Sequence, residues 1–206
     1  MDKKNLTTEE TFVLAVQNHS KNNLQVAENL YKEILKTNPN HVSTHNNLGL
    51  VFQKLGELQK AISSYQKAIE IQPNYAIAHN NLGIALKELR DYKKAIGCYE
   101  KAIQINPNYV DAYNNLGVAF KELGELQKAI ACYEKALKLK PDSVSAQANI
   151  SNIYIAQLDN LEKATSESYK TLKMHHETSK FINQRISLYR LKHDVQQAEY
   201  LGLKNY

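Results

Sequence analysis

The chain has 206 residues, a formal net charge of +5 and a pI near 9.0, with 43% hydrophobic residues and two cysteines. No stretch reaches the ~18 apolar residues of a membrane helix, so a membrane-spanning protein is not expected. The opening MDKKNLTTEE has no apolar run of signal-peptide length and no Gly at its second position, so the sequence predicts neither secretion nor myristoylation and a cytoplasmic location follows.

In chain order, residues 1–7 read as an N-terminal tail, and from Thr8 onward a fixed period organises the sequence. Pro39, Pro73, Pro107 and Pro141 stand 34 residues apart, and so do Gly49, Gly83 and Gly117, Ala27, Ala61, Ala95 and Ala129, and Tyr31, Tyr65, Tyr99 and Tyr133. The octet LGELQKAI occurs at Leu55–Ile62 and again at Leu123–Ile130. The units are 8–41, 42–75, 76–109, 110–143 and 144–178, with the first and last degenerate. The first has Ala15 in place of Gly and Asn18 in place of an aromatic. The last keeps Ile150, Tyr154 and Ala164, needs one extra residue near Asp159 and lacks the proline. Residues 179–206 keep helical spacing at Ile182, Ile186 and Tyr189 and read as capping helices or the start of a linker.

A period near 34 with this Leu-Gly, Ala, aromatic, Ala, Pro order is similar to the tetratricopeptide repeat. In the unit beginning at Val110, the residues Tyr113, Leu116, Gly117, Phe120, Ala129, Tyr133, Ala136 and Pro141 fall where that family places its Trp, Leu, Gly, Tyr, Ala, Phe, Ala and Pro. The resemblance implies an all-α, right-handed solenoid of five helix-turn-helix repeats. Each Pro-Asn pair, such as Pro73-Asn74, is expected to end one helix and cap the next. Gly56 and Gly124 should supply left-handed turns within a pair, and Asp91 should cap its helix where Arg90-Asp91 replaces glycine.

Counting positions from the start of each unit, positions 4, 7, 8 and 11 share one face of the first helix at ~100° per residue. They read His45, Leu48, Gly49 and Phe52, then His79, Leu82, Gly83 and Leu86, then Tyr113, Leu116, Gly117 and Phe120. This is the expected packing face. Glycine at position 8 allows close approach by the second helix, whose position 20 Ala and position 24 Tyr fill from the other side. His45 and His79 accordingly read as packing histidines.

Chemistry is sparse. Cys98 and Cys132 occupy one repeat position on helices ~10 Å apart, beyond the ~7 Å that a disulfide spans, and read as small buried thiols. His175-His176 lacks a partner one helical turn away, and no metal site, phosphate loop or nucleophile arrangement is recognisable, so neither enzyme activity nor a metal or cofactor is expected. Lys60, Lys94 and Lys128 with Lys67, Lys101 and Lys135 form one outer stripe, diluted by Glu57, Glu100, Glu125 and Glu134. Arginine occurs only at Arg90, Arg185 and Arg190, so a nucleic-acid partner is not expected.

The opposite face of the first helix is the candidate site. It carries Asn46, Asn80 and Asn114 at position 5 and Asn47, Asn81, Asn115 and Asn149 at position 6. Leu50, Ile84 and Val118 occupy position 9, Ile77 and Asp111 position 2, and Lys87 and Lys121 position 12. In the family's superhelix these positions line the concave groove. Asparagine is a mediocre helix former, and its amide carries both a donor and an acceptor for a peptide backbone. The array is similar to that in the superhelix of the nucleocytoplasmic O-linked N-acetylglucosaminyltransferases, where asparagines grip the peptide main chain. The family's carboxylate clamp, by contrast, needs cations at positions 2, 5 and 6, which are absent. The expected function is a non-catalytic scaffold or adaptor whose groove binds a protein or extended peptide. It acts as a monomer or associates weakly through its end repeats. The alternative is the substrate-recognition region of a larger glycosyltransferase-like enzyme. Because the asparagines point away from the packing face, their replacement is expected to leave folding nearly unchanged.

Overall fold

The computed structural model describes residues 6–171, with Ser187 and Lys192 as two further single positions. The chain divides into two compact units, Met1–Cys132 and Tyr133–Tyr206. Among the described residues all regular structure is helical: α1 (Thr8–Ser20), α2 (Leu24–Thr37), α3 (Val42–Lys54), α4 (Leu58–Ile71), α5 (Ala76–Glu88), α6 (Tyr92–Ile105), α7 (Val110–Glu122), α8 (Leu126–Leu139) and α9 (Val144–Thr171). Residues 1–5 of the expected tail 1–7 and the expected cap 179–206 lie outside the described residues, apart from the helical, exposed Ser187 and Lys192.

In the first unit, α1 packs on α2, α3 on α4 and α5 on α6, and each second helix also packs on the first helix of the following pair. The first helices α3, α5 and α7 are buried on two sides as a result. Position 7 is covered at Leu48, Leu82 and Leu116, as the helical wheel predicts. Positions 3 and 10 are buried as well, at Thr44, Ala78, Ala112, Val51, Ala85 and Ala119. One helix viewed alone cannot reveal this second buried side, because a neighbouring pair creates it.

The turn inside each pair is set by one backbone angle. Position 15 has φ of 62° at Asn22, 76° at Gly56, 61° at Arg90 and 77° at Gly124. With this residue left-handed, the N–H of position 16 reaches back to the carbonyl of position 11. Asn23 thus donates to Asn18, Glu57 to Phe52, Asp91 to Leu86 and Glu125 to Phe120, each at 2.9 Å, which closes the helix end as a Schellman motif does. Asp91 then caps α6, its Oδ1 accepting from the Lys94 N–H at 3.3 Å, as expected from sequence.

The turn between pairs differs from the sequence expectation. Asn74 and Asn108 do not cap the next helix; Tyr75 and Tyr109 occupy the cap positions without side-chain cap bonds. Pro-Asn instead sits inside a closed turn, where the N–H of Tyr75 donates to the Gln72 carbonyl at 3.2 Å and that of Tyr109 to the Asn106 carbonyl at 3.1 Å. Proline's fixed φ suits the second residue of such a turn. The position 4 side chain pins it: Nε2 of His45 and His79 meets the Pro39 and Pro73 carbonyls at 2.8 and 2.9 Å, which requires the Nε2–H tautomer. Gln147 Nε2 does the same to Pro141 at 3.3 Å. Position 4 is therefore a half-buried turn clasp as well as a packing residue.

A fifth helix pair over 144–178 is also corrected, since α9 runs unbroken from Val144 to Thr171. Position 15 of that unit is Leu158, and α9 contains neither Gly nor Pro. A leucine has no ready access to the left-handed conformation, so nothing ends the helix there.

The pairs of the first unit are held by Tyr31, Tyr65 and Tyr99, all fully buried. A Cβ at Gly49 would sit 2.5 Å from Tyr65 Cε1, and one at Gly83 would sit 2.5 Å from Tyr99 Cε1. A ring wedged in the core cannot yield as a flexible chain end would. Gly83→Ala should therefore destabilise by about 1–3 kcal/mol. Gly97, in α6, has nothing within 4 Å of its missing Cβ, so Gly97→Ala should stabilise by about 0.5–1 kcal/mol. Urea unfolding of the two variants checks the opposite signs.

Candidate functional site

The candidate groove residues of the first unit lie on α3, α5 and α7, and Asn149 lies half-buried on α9 in the second unit. Leu50, Ile84 and Val118 form a half-buried apolar row, with Ile77 and Asp111 exposed at position 2. Lys87 and Lys121 are half-exposed at position 12. Each first helix contacts the next one, so the row repeats from pair to pair.

The asparagines have a double position that the sequence reading missed. Asn46, Asn80 and Asn81 are only 3%, 4% and 8% exposed. Asn81 Nδ2 donates to Asn46 Oδ1 at 3.0 Å, and Asn115 Nδ2 donates to Asn80 Oδ1 at 3.0 Å, each bond joining residues 35 apart. Position 5 of one repeat thus accepts from position 6 of the next, and Asn46 Nδ2 also donates to Asn47 Oδ1 at 3.3 Å. These rungs bridge neighbouring first helices, so the expectation that replacing the amides leaves folding untouched is corrected: part of their hydrogen bonding is spent inside the fold. Asn47 and Asn115 remain half-exposed. The clue in the sequence was the adjacency of the two asparagines, since a single position would have no partner on the next helix.

A second diagonal runs from position 12 to position 13 of the next repeat. Gln53 Nε2 donates to Glu88 Oε1, and Gln53 Oε1 accepts from the Tyr65 hydroxyl at 2.9 Å. Burial raises the Tyr65 phenol well above its ordinary pKa, and the Glu88 charge adds to that. On the same diagonal, burial and then the Lys54 charge hold the His19 imidazole below its usual pKa.

Outside the groove, the position 19 lysines each pair with the position 16 carboxylate: Lys60 with Glu57 at 2.7 Å, Lys94 with Asp91 at 2.9 Å, and Lys128 with Glu125. Lys60 and Lys128 also sit over the Phe52 and Phe120 rings, 5.5 and 5.3 Å from the centroids. Lys67 pairs with Glu70 at 3.0 Å as well, so four of the six lysines of the basic stripe are locally neutralised. Among the described residues no cluster of His, Cys, Asp and Glu could hold a metal ion, and His175-His176 lies outside them. No helix among the described residues is long and apolar enough to cross a membrane. Cys98 and Cys132 are free and half-buried, and burial pushes both thiols up to about 11, with the charges of Asp91 and Glu100 as lesser causes.

Residues 41–108 match one family model for the tetratricopeptide repeat and residues 110–143 match another. These stretches are tetratricopeptide repeats, and the fold is the helical solenoid of that class. No curated protein sequence matches the chain. A crystal structure of MamA protein is similar at 26% identity, over 97% of this chain and 96% of that one, with a TM-score of 0.66. MamA 41-end from Desulfovibrio magneticus RS-1 shares the fold at 21% identity, over 81% of this chain and 94% of that one, with a TM-score of 0.67. The first TPR of Spaghetti (RPAP3) bound to HSP90 peptide SRMEEVD aligns at 26% identity, over 56% of this chain and 92% of that one, with a TM-score of 0.55.

Two outcomes follow. In a double-mutant cycle, Asn80→Ala and Asn115→Ala should each destabilise by about 1–2 kcal/mol, with a coupling of about 0.5–1.5 kcal/mol, because each single change orphans the other amide. Denaturant melts of the four proteins measure it. At pH 8 the two thiols should react with a thiol reagent at least ~100-fold more slowly in the native chain than in the urea-unfolded chain. The native rate should climb as the pH is raised toward 11, where the thiolate forms.

Proposed function

We propose that the chain is a non-catalytic protein-interaction scaffold that binds an extended peptide segment along the first helices of its repeats. The observation that carries this reading is the apolar row Leu50, Ile84 and Val118, half-buried on successive first helices and flanked by amides that retain donors and acceptors beyond their rungs. The neighbouring repeat structure with a peptide bound supports it. The apolar row supplies contact area, and the half-exposed Asn47 and Asn115 supply hydrogen bonds to a main chain. At ~10 Å between first helices and ~3.3 Å per extended residue, each repeat faces about three residues of ligand. Selectivity falls to Ile77, Asp111, Lys87 and Lys121. No described feature adds to the alternative of a substrate-recognition region for a larger modifying enzyme.

Panning a random peptide library on the full chain, followed by affinity measurement, tests the proposal. Ile77→Ser combined with Ile84→Ser should weaken selected peptides by about 1–3 kcal/mol, or roughly 5- to 150-fold. Gln66→Ala, on an exposed position of α4, should leave affinity unchanged. Equal binding by all three proteins would place the site elsewhere.

A further inference from the structure

The first helix of the array carries the interface of an internal repeat without the neighbour that covers it. In the internal repeats, positions 3, 7 and 10 are at most 8% exposed, at Thr44, Leu48 and Val51, at Ala78, Leu82 and Ala85, and at Ala112, Leu116 and Ala119. On α1 the same positions are Glu10, Leu14 and Gln17, all open to solvent, with Leu14 37% exposed. Val13 beside them and Leu6, just before the Thr7 N-cap, are each 48% exposed. Together with Glu9 they line one shallow hollow. Other exposed apolar side chains, such as Leu55, Leu89 and Leu123, occur once per repeat and do not cluster in this way.

We propose that this face is the contact surface of a weak symmetric dimer, in which α1 of a second copy lies antiparallel across α1. Charge selects the direction. Glu9 and Glu10 stand in the first turn of α1, while Lys21 lies exposed at its C-cap. An antiparallel crossing sets acid on base and opposes the helix dipoles, whereas a parallel one sets like on like. With the two-fold axis between Val13 and Leu14, each Val13 meets the partner's Leu14 and each Glu10 meets the partner's Gln17. Glu9 then reaches the partner's Asn18 and Lys21. Glu10 uses only Oε2 in its capping box with Thr7, so Oε1 is available to the partner's glutamine amide. The contact is continuous with the way repeats stack, since it uses positions 3, 6, 7 and 10. Three apolar side chains per copy make a small patch, which places the dimer among weak, concentration-dependent associations.

Sedimentation equilibrium of the full chain between about 10 μM and 1 mM tests this, with a reversible monomer–dimer equilibrium expected. Val13→Asp with Leu14→Asp should raise the dimer Kd by about 30-fold or more, with an unchanged circular dichroism spectrum because both side chains face outward. Glu9→Lys should weaken the dimer by several-fold, and adding Lys21→Glu should restore it. In a Val13→Cys protein, oxidation should link two chains across the axis, whereas the half-buried native thiols, which lie away from α1, should not. A chain that stays monomeric to 1 mM overturns the proposal, as does a dimer indifferent to both the aspartate pair and the charge swap.

Discussion

The contact between a helix carbon and a tyrosine ring sets the geometry of this chain. Position 8 is glycine in the regular repeats so that the position 24 ring can lie against the backbone of the first helix, at Gly49 against Tyr65 and at Gly83 against Tyr99. No other residue fits without moving a fully buried ring. Once that distance is fixed, the loop joining the two helices has little freedom, and a left-handed residue at position 15 is the consequence. Asn22 and Arg90 accept that conformation despite their side chains, which shows that packing overrides the local preference for glycine.

Because successive internal pairs repeat this contact, at Gly49–Tyr65 and Gly83–Tyr99, residues at equal positions meet their counterparts on the next helix at equal offsets. The polar consequence is the set of amide rungs between Asn46 and Asn81 and between Asn80 and Asn115. Buried amides must find partners, and an array of identical helices offers each one the same partner one repeat on. The apolar consequence is the row Leu50, Ile84 and Val118, which the rungs hold in register. Stability and recognition therefore share side chains on one face, so a change made to alter binding there also tests the fold.

The two ends of the first unit's logic are visible in its turns and its opening helix. Clasping of the Pro39 and Pro73 carbonyls by His45 and His79 gives a polar, half-buried residue a defined task where the repeat family carries a bulky aromatic. On α1 the same interface positions are left uncovered, since burial at positions 3, 7 and 10 comes from the preceding pair. Residues at these positions differ accordingly: Glu10 and Gln17 stand where the internal repeats bury Thr or Ala and Val or Ala.

From sequence alone, the 34-residue period, the helix pairs of the first four repeats, the packing role of Gly and Tyr, and the Asp91 cap were all legible. They depend on local periodicity and on residue types with one strong conformational use. What only the tertiary structure decided concerns contacts between copies. The second buried side of α3, α5 and α7, the amide rungs and the turn clasps arise from a neighbour that a helical wheel does not contain. The unbroken α9 belongs to the same class: one position that fails to turn left-handed converts an expected helix pair into a single helix, although the apolar spacing around it is little changed. Periodicity reports which residues share a face, and only packing decides what that face meets.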